Sequence, residues 1–272
     1  MLQFREMPLN LEDREEKTLC RSRPAYVNKL TVSDSGPELQ NTIVGIIGRK
    51  GAGKSTFTQE LLSYCERLFL FNTMGEHLWI PDQFTDLAQA HTYIFDHGHA
   101  PGSFHGAFIP EGTAQDSTER DFAEISIAVY EAGNMTFVVE ELPMLTQPNY
   151  VPPAFNRNVR LGRHRCLNVV YTGQRIAECP RRVTAATDVF VLFSQTEPDD
   201  IAKISERCSP EVADMVAALE PHEFVVYDTK AREIVVVDNV WYSTLLNSKE
   251  NWTPAYGGKH GRPALWSLDD GA

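Results

Sequence analysis

Short apolar runs alternate along the chain with longer stretches whose apolar residues recur at helical spacing. Ile43–Ile47, Leu68–Phe71, Met135–Val139, Cys166–Tyr171 and Asp188–Phe193 are the apolar runs and read as strands. Phe57, Leu61, Leu62 and Cys65 give Thr56–Arg67 a helical period, and Phe122, Ile125 and Val129 do the same for Ser117–Ala132. The Asp116 and Glu119 carboxylates suit the start of that second helix, and Gly133-Asn134 suits its end. Asp82–Gln89 reads as a short helix, Thr92–Phe95 and Phe104–Ile109 as strands, and His97–Gly102 as the loop between those strands. Toward the C-terminus, Pro198–Ile204 and Ser209–Leu219 read as helices, and Glu223–Tyr227 with Glu233–Asp238 as a hairpin around Thr229-Lys230. The succession predicts an α/β fold with a mainly parallel sheet and helices on both faces.

A chain of 272 residues, 42% of them hydrophobic, has enough apolar surface for one large core. The expected organisation is a polar N-terminal arm over 1–40, one domain over 41–248 and a tail over 249–272, rich in Gly and Pro, that could strap onto a neighbour. No stretch approaches the roughly 20 apolar residues of a membrane span, and the first residues lack a basic-then-apolar leader, so membrane insertion is not expected. Five widely spaced cysteines without a C-x-x-C pair suggest neither a disulfide framework nor a zinc site and fit a reducing cytoplasm. His91, His97, His99 and His105 lie close in sequence, but their spacing matches no metal motif and they are assigned no role. A formal charge of −12 argues against a surface that coats nucleic acid as a whole, while leaving room for a local basic patch.

The chemistry is concentrated after the first apolar run. Gly48, Gly53, Lys54 and Ser55 fill the fixed positions of G-x-x-x-x-G-K-[ST], and the preceding strand and following helix are the context that this phosphate-binding pattern requires. Gly48, Arg49, Lys50, Gly51, Ala52, Gly53, Lys54, Ser55 and Thr56 form the expected loop around the phosphates of ATP. Lys54 should reach the β- and γ-phosphates, and Ser55 should place its hydroxyl on Mg²⁺. Met135–Val139 ends in Glu140-Glu141, where ligands meet the carboxyl ends of strands in a doubly wound sheet. The first acid would position Mg²⁺ and the second would orient and deprotonate water, although an Asp is usual in the first place and the division of roles stays open. Gln174, at the tip of the strand from Cys166, can hydrogen-bond a γ-phosphate or the attacking water. Before that strand, Asn156–Arg165 carries Arg157, Arg160, Arg163 and Arg165; Arg163, or else Arg160, is the candidate to reach the triphosphate of an adjacent subunit.

In order, the phosphate loop at Gly48–Ser55, Glu140-Glu141, Gly162-Arg163-His164, Thr172-Gly173-Gln174-Arg175 and Glu197-Pro198-Asp199 resemble the HerA/FtsK superfamily over about 41–238. Gly173 stands where Ser or Thr is common there, and Glu140 where Asp is. The resemblance implies a RecA-like P-loop ATPase acting on double-stranded DNA as a homo-oligomeric ring. In size the chain is similar to the genome-packaging ATPases of membrane-containing DNA viruses. That likeness implies capsid or portal proteins as further partners and the host cytoplasm or the virion as its location. A cellular HerA-like translocase and a nucleotide-switched, Zot-like assembly protein are the alternatives. A small-molecule P-loop kinase is disfavoured, since no arginine-rich lid follows a recognisable substrate pocket.

Overall fold

The computed structural model describes residues 41–63, 65–111, 115–239 and 242. The expected arm over 1–40 and tail over 249–272 lie outside them. In chain order the elements are β1 (Ile43–Ile47), α1 (Lys54–Leu62), β2 (Arg67–Phe71), β3 (Asp82–Phe84), α2 (Leu87–His99), β4 (Phe104–Phe108), α3 (Gln115–Ala132) and β5 (Met135–Val139). They continue with α4 (Pro153–Leu161), β6 (Leu167–Gly173), α5 (Arg181–Thr184), β7 (Val189–Phe193), α6 (Pro198–Arg207), α7 (Pro210–Ala217), β8 (Phe224–Asp228) and β9 (Glu233–Val237).

The strands form a nine-stranded sheet in the order β3-β4-β2-β5-β6-β1-β7-β8-β9. All pairs from β3 to β7 are parallel, and β8 and β9 add an antiparallel hairpin at one edge. Parallel strands need covering on both faces, so β1, β2, β5, β6 and β7 are buried at every position. Alternate side chains serve two cores. Ile43, Phe69, Phe137, Val169 and Tyr171 face one that includes residues of α2, α3, α4, α6 and α7, whereas Val44, Ile46, Leu70, Val138 and Phe193 face Phe57, Leu61 and Leu62 of α1. Each fully buried large apolar side chain adds roughly 1.5–3 kcal/mol, and this sum holds the sheet as a rigid platform.

The segment 82–102 differs from its sequence reading. Asp82–Phe84 is a short edge strand rather than the start of a helix, and Thr92–Phe95 lies inside α2 rather than in a strand. Asp86 decides the start of α2, because its side chain accepts the Gln89 N–H at 2.8 Å. Ala90, Ile94 and Gly98 then recur every fourth residue as the buried stripe. The run Tyr93-Ile94-Phe95 looks β-like only when read without that stripe. His97 and His99 therefore sit in the last helical turn and not in a loop.

Arg67, read as a helix end, is instead the first residue of β2. Its five guanidinium N–H groups all donate to carbonyls, of Asn134 (2.6 Å), Ala100 (3.0 Å), Gly102 (2.6 Å), His97 (2.7 Å) and Gly98 (2.9 Å). A cation there matches the negative end of the α2 dipole. The arginine-rich segment is likewise only partly α-helical, since Gly162–Arg165 tightens into a 3₁₀ turn before β6.

Candidate active site

The loop after β1 is shaped by its packing. Gly48 N–H donates to the Gly173 carbonyl at 3.1 Å, and a Cβ at Gly48 would lie 2.5 Å from Phe193 Cβ, so nothing larger than glycine fits between β6 and β7. Gly51 has open space around it but a φ of +80°, a backbone that an L side chain resists. Gly53 precedes α1 at φ 101°, and α1 has neither a capping side chain nor an acidic residue in its first turn. Its first N–H groups are thus left to an anion, which the helix dipole also favours. Ser55 is exposed at that terminus.

Lys54 is 9% exposed, and its ammonium donates to the Arg49 carbonyl at 3.3 Å across the loop. Burial lowers its pKa, opposed by the charges of Glu141, Glu76 and Glu140 in that order. Arg49 itself leans outward, donating to Thr196 Oγ1 at 3.1 Å.

At the tip of β5 the two acids diverge. Glu140 is 4% exposed and held from the loop after β2, with His77 Nε2 3.1 Å from Oε1 and the Met74 N–H donating to Oε2 at 3.1 Å. Glu141 leaves the strand in the left-handed region (φ 48°, ψ 57°), which costs a non-glycine residue about 1–2 kcal/mol. Its N–H donates to Thr172 Oγ1 at 2.9 Å, and its carbonyl accepts the Met144 N–H at 2.9 Å. Burial raises the pKa of its carboxyl. The nearby Lys54 ammonium works against that shift, Glu140 adds to it, and a hydrogen bond from Gln174 opposes it. Lys54, Glu141 and Gln174 therefore meet at the carboxyl edge of the sheet, although they come from the tips of three different strands.

The backbone around Gln174 is braced by residues that sequence reasoning passed over. Gln195, 1% exposed beyond the tip of β7, donates to the Gln174 carbonyl at 3.0 Å. Asp200, fully buried on α6, accepts Arg175 Nε at 2.8 Å and the Ala177 N–H at 3.0 Å. Across the phosphate loop, His222 Nδ1 lies 3.3 Å from the Ala52 carbonyl. Gln195 carried a signal, because it follows the strand next to β1, where site residues gather. His77 and His222 are single histidines in loops and carried none.

The arginines divide into two pairs. Arg157 and Arg165 both bond Glu131 of α3 at 3.0 Å, with Arg157 3.9 Å from the Tyr130 ring centre, so they fasten α4 and the 3₁₀ turn to α3. Arg160 and Arg163 are exposed, and among the described residues neither has an ion pair; Arg163 Nε meets His164 Nε2 at 3.3 Å. Both stand at the amino edge of the sheet, where the Arg165 carbonyl accepts the Asn134 N–H just before β5. The phosphate loop is at the other edge, a strand length of roughly 20 Å away, beyond the reach of an arginine side chain.

Mg²⁺ keeps several waters and takes few protein ligands, so the donor set it would need is small. An exposed Ser55 hydroxyl and the carboxylates at the tip of β5 fit that demand. Among the described residues no helix is long and apolar enough to cross a membrane.

Neither a protein-family model nor a curated protein sequence matches the chain. Its structure is similar to that of the genome packaging NTPase B204 from Sulfolobus turreted icosahedral virus 2 in complex with ATP-gammaS. The TM-score is 0.60 at 19% identity, over 74% of this chain and 98% of that one. VirB4 of Thermoanaerobacter pseudethanolicus is similar with a TM-score of 0.55 at 11% identity, over 75% of this chain and 91% of that one. At these identities the likeness is one of fold, and the chain has the P-loop NTPase fold that the viral packaging NTPase and VirB4 share.

Proposed function

We propose that the chain is an ATPase that couples ATP hydrolysis to movement of double-stranded DNA as a homo-oligomeric ring, in the packaging of a viral genome. The observation that carries this is the meeting of Lys54, Glu141 and Gln174 beside an uncapped α1, on a fold shared with a packaging NTPase. ATP would lie along the loop 48–56, with the Lys54 ammonium on its β- and γ-phosphates. Ser55 and Glu140 would hold Mg²⁺, which when bound neutralises charge developing on the phosphate oxygens. Glu141 orients a water in line with the γ-phosphorus and takes its proton as the new P–O bond forms and the bond to ADP breaks. Gln174 bonds Glu141 now and can turn its amide to the water or the γ-phosphate. Arg163, or else Arg160, stands at the sheet edge opposite its own site and would serve the next subunit's.

The test compares ATP turnover with and without double-stranded DNA while light scattering reports the assembly state. DNA-stimulated turnover confined to an oligomer is expected. Nucleotide binding without turnover under any condition would replace the motor with a nucleotide-switched assembly protein, and full turnover by a monomer would remove the ring.

A further inference from the structure

Glu140 is gripped by a loop that stands outside the catalytic set. After β2 the chain turns back over the tip of β5. There Thr73 Oγ1 donates to the Glu140 carbonyl at 2.6 Å, the Met74 N–H donates to Glu140 Oε2 at 3.1 Å, and His77 Nε2 sits 3.1 Å from Oε1. His77 is 3% exposed. Its Nδ1 accepts the indole N–H of Trp79 at 3.2 Å, so the other nitrogen, Nε2, carries the proton and donates it in a hydrogen bond to the carboxylate. Each Glu140 oxygen thus spends one lone pair on the loop and keeps another. The carboxylate is held by one donor at each oxygen.

We infer that His77 is a positioning residue for the bound divalent cation, orienting the Glu140 carboxylate so that its remaining lone pairs face Mg²⁺ or a water of its shell. The inference rests on the proposed ATPase site. A carboxylate free to rotate would have to be ordered again each time the metal–nucleotide complex enters. A partner one bond away from a metal ligand typically changes metal affinity or activity by about 10- to 100-fold when removed. The sequence around His77, Gly75-Glu76-His77-Leu78-Trp79, supplies the donor and the ring that sets its tautomer within three residues.

The experiment measures the affinity of a fluorescent ATP analogue in Mg²⁺ and in EDTA for the full chain and for His77→Ala, His77→Asn and His77→Gln. Glutamine extends an amide N–H to about where Nε2 lies, whereas asparagine is polar but too short. The alanine and asparagine variants should lose about 10-fold or more of the gain in affinity that Mg²⁺ gives, with affinity in EDTA unchanged, and the glutamine variant should recover most of it. Should the alanine variant fail to fold, the asparagine and glutamine pair carries the comparison. A wild-type Mg²⁺ effect in His77→Asn, or equal losses in Mg²⁺ and EDTA for all variants, would overturn the inference and leave His77 a packing residue. A wild-type chain that gains nothing from Mg²⁺ would instead overturn the metal site itself, and the inference with it.

Discussion

Lys54 is caught between two effects of similar kind. Burial disfavours its ammonium, while three nearby carboxylates favour it, and a phosphate chain would supply the charge that the site is arranged to receive. Because its ammonium supplies the charge that a phosphate chain would meet, Lys54→Ala should abolish nucleotide binding or turnover while the melting curve stays cooperative. Wild-type turnover in the purified variant would end the phosphate-loop assignment. Glu141→Gln should still bind ATP but hydrolyse it on the order of 10²- to 10⁴-fold more slowly, the usual loss for a positioned base. Glu140→Gln should instead change the Mg²⁺ concentration needed for turnover. If turnover follows Glu140 alone, the two roles are reversed. That Lys54, Glu141 and Gln174 would share one edge was legible beforehand, because each follows an apolar run and parallel strands end on the same side. The grip of His77 on Glu140 was not, since a lone histidine in a loop has no period or spacing to betray what it touches.

At the level of elements, continuous apolar runs were dependable and short mixed ones were not. β1, β5 and β7 fall within a residue of their sequence reading because burial on both faces leaves an unbroken apolar string. α2 was misread because its apolar stripe is thin, with Gly98 as one of its three buried positions; a Cβ at Gly98 would lie 2.6 Å from Ala132 Cβ on α3. Asp86→Ala tests the corrected boundary. Loss of the cap should lower stability by about 1 kcal/mol, seen in denaturant unfolding, without moving nucleotide affinity. Gly48→Ala should act differently, because the added methyl lands on Phe193 and must push the phosphate loop off β7. We expect a loss of about 1–3 kcal/mol together with weakened nucleotide binding. An alanine variant with unchanged melting and unchanged affinity would show that the loop seats elsewhere.

For the whole molecule, the alternation of runs implied a parallel α/β sheet, but nothing in it specified that β1 would lie between β6 and β7, or that one face would carry the six helices α2 to α7 of the first core and the other α1. Strand order is set by crossovers whose lengths many orders can satisfy. The parallel course of β1 and β6 is what places Arg160 and Arg163, just before β6, at the amino edge and the phosphate loop, just after β1, at the other, and it makes a mixing experiment decisive. A Lys54→Ala variant and an Arg163→Ala variant, each inactive alone, should regain turnover when their subunits are mixed, since some junctions then pair an intact loop with an intact arginine. No recovery at any ratio, in assemblies shown to have exchanged subunits, would confine these arginines to DNA or to the surface. The roughly 20 Å between the two edges also carries a kinetic consequence. If the proposed ring holds, a solitary subunit would lack the arginine that its phosphate loop needs, so ATP consumption should climb faster than in proportion to protein concentration. On the same proposal, newly made copies diluted through a cell would idle until they gather into a ring.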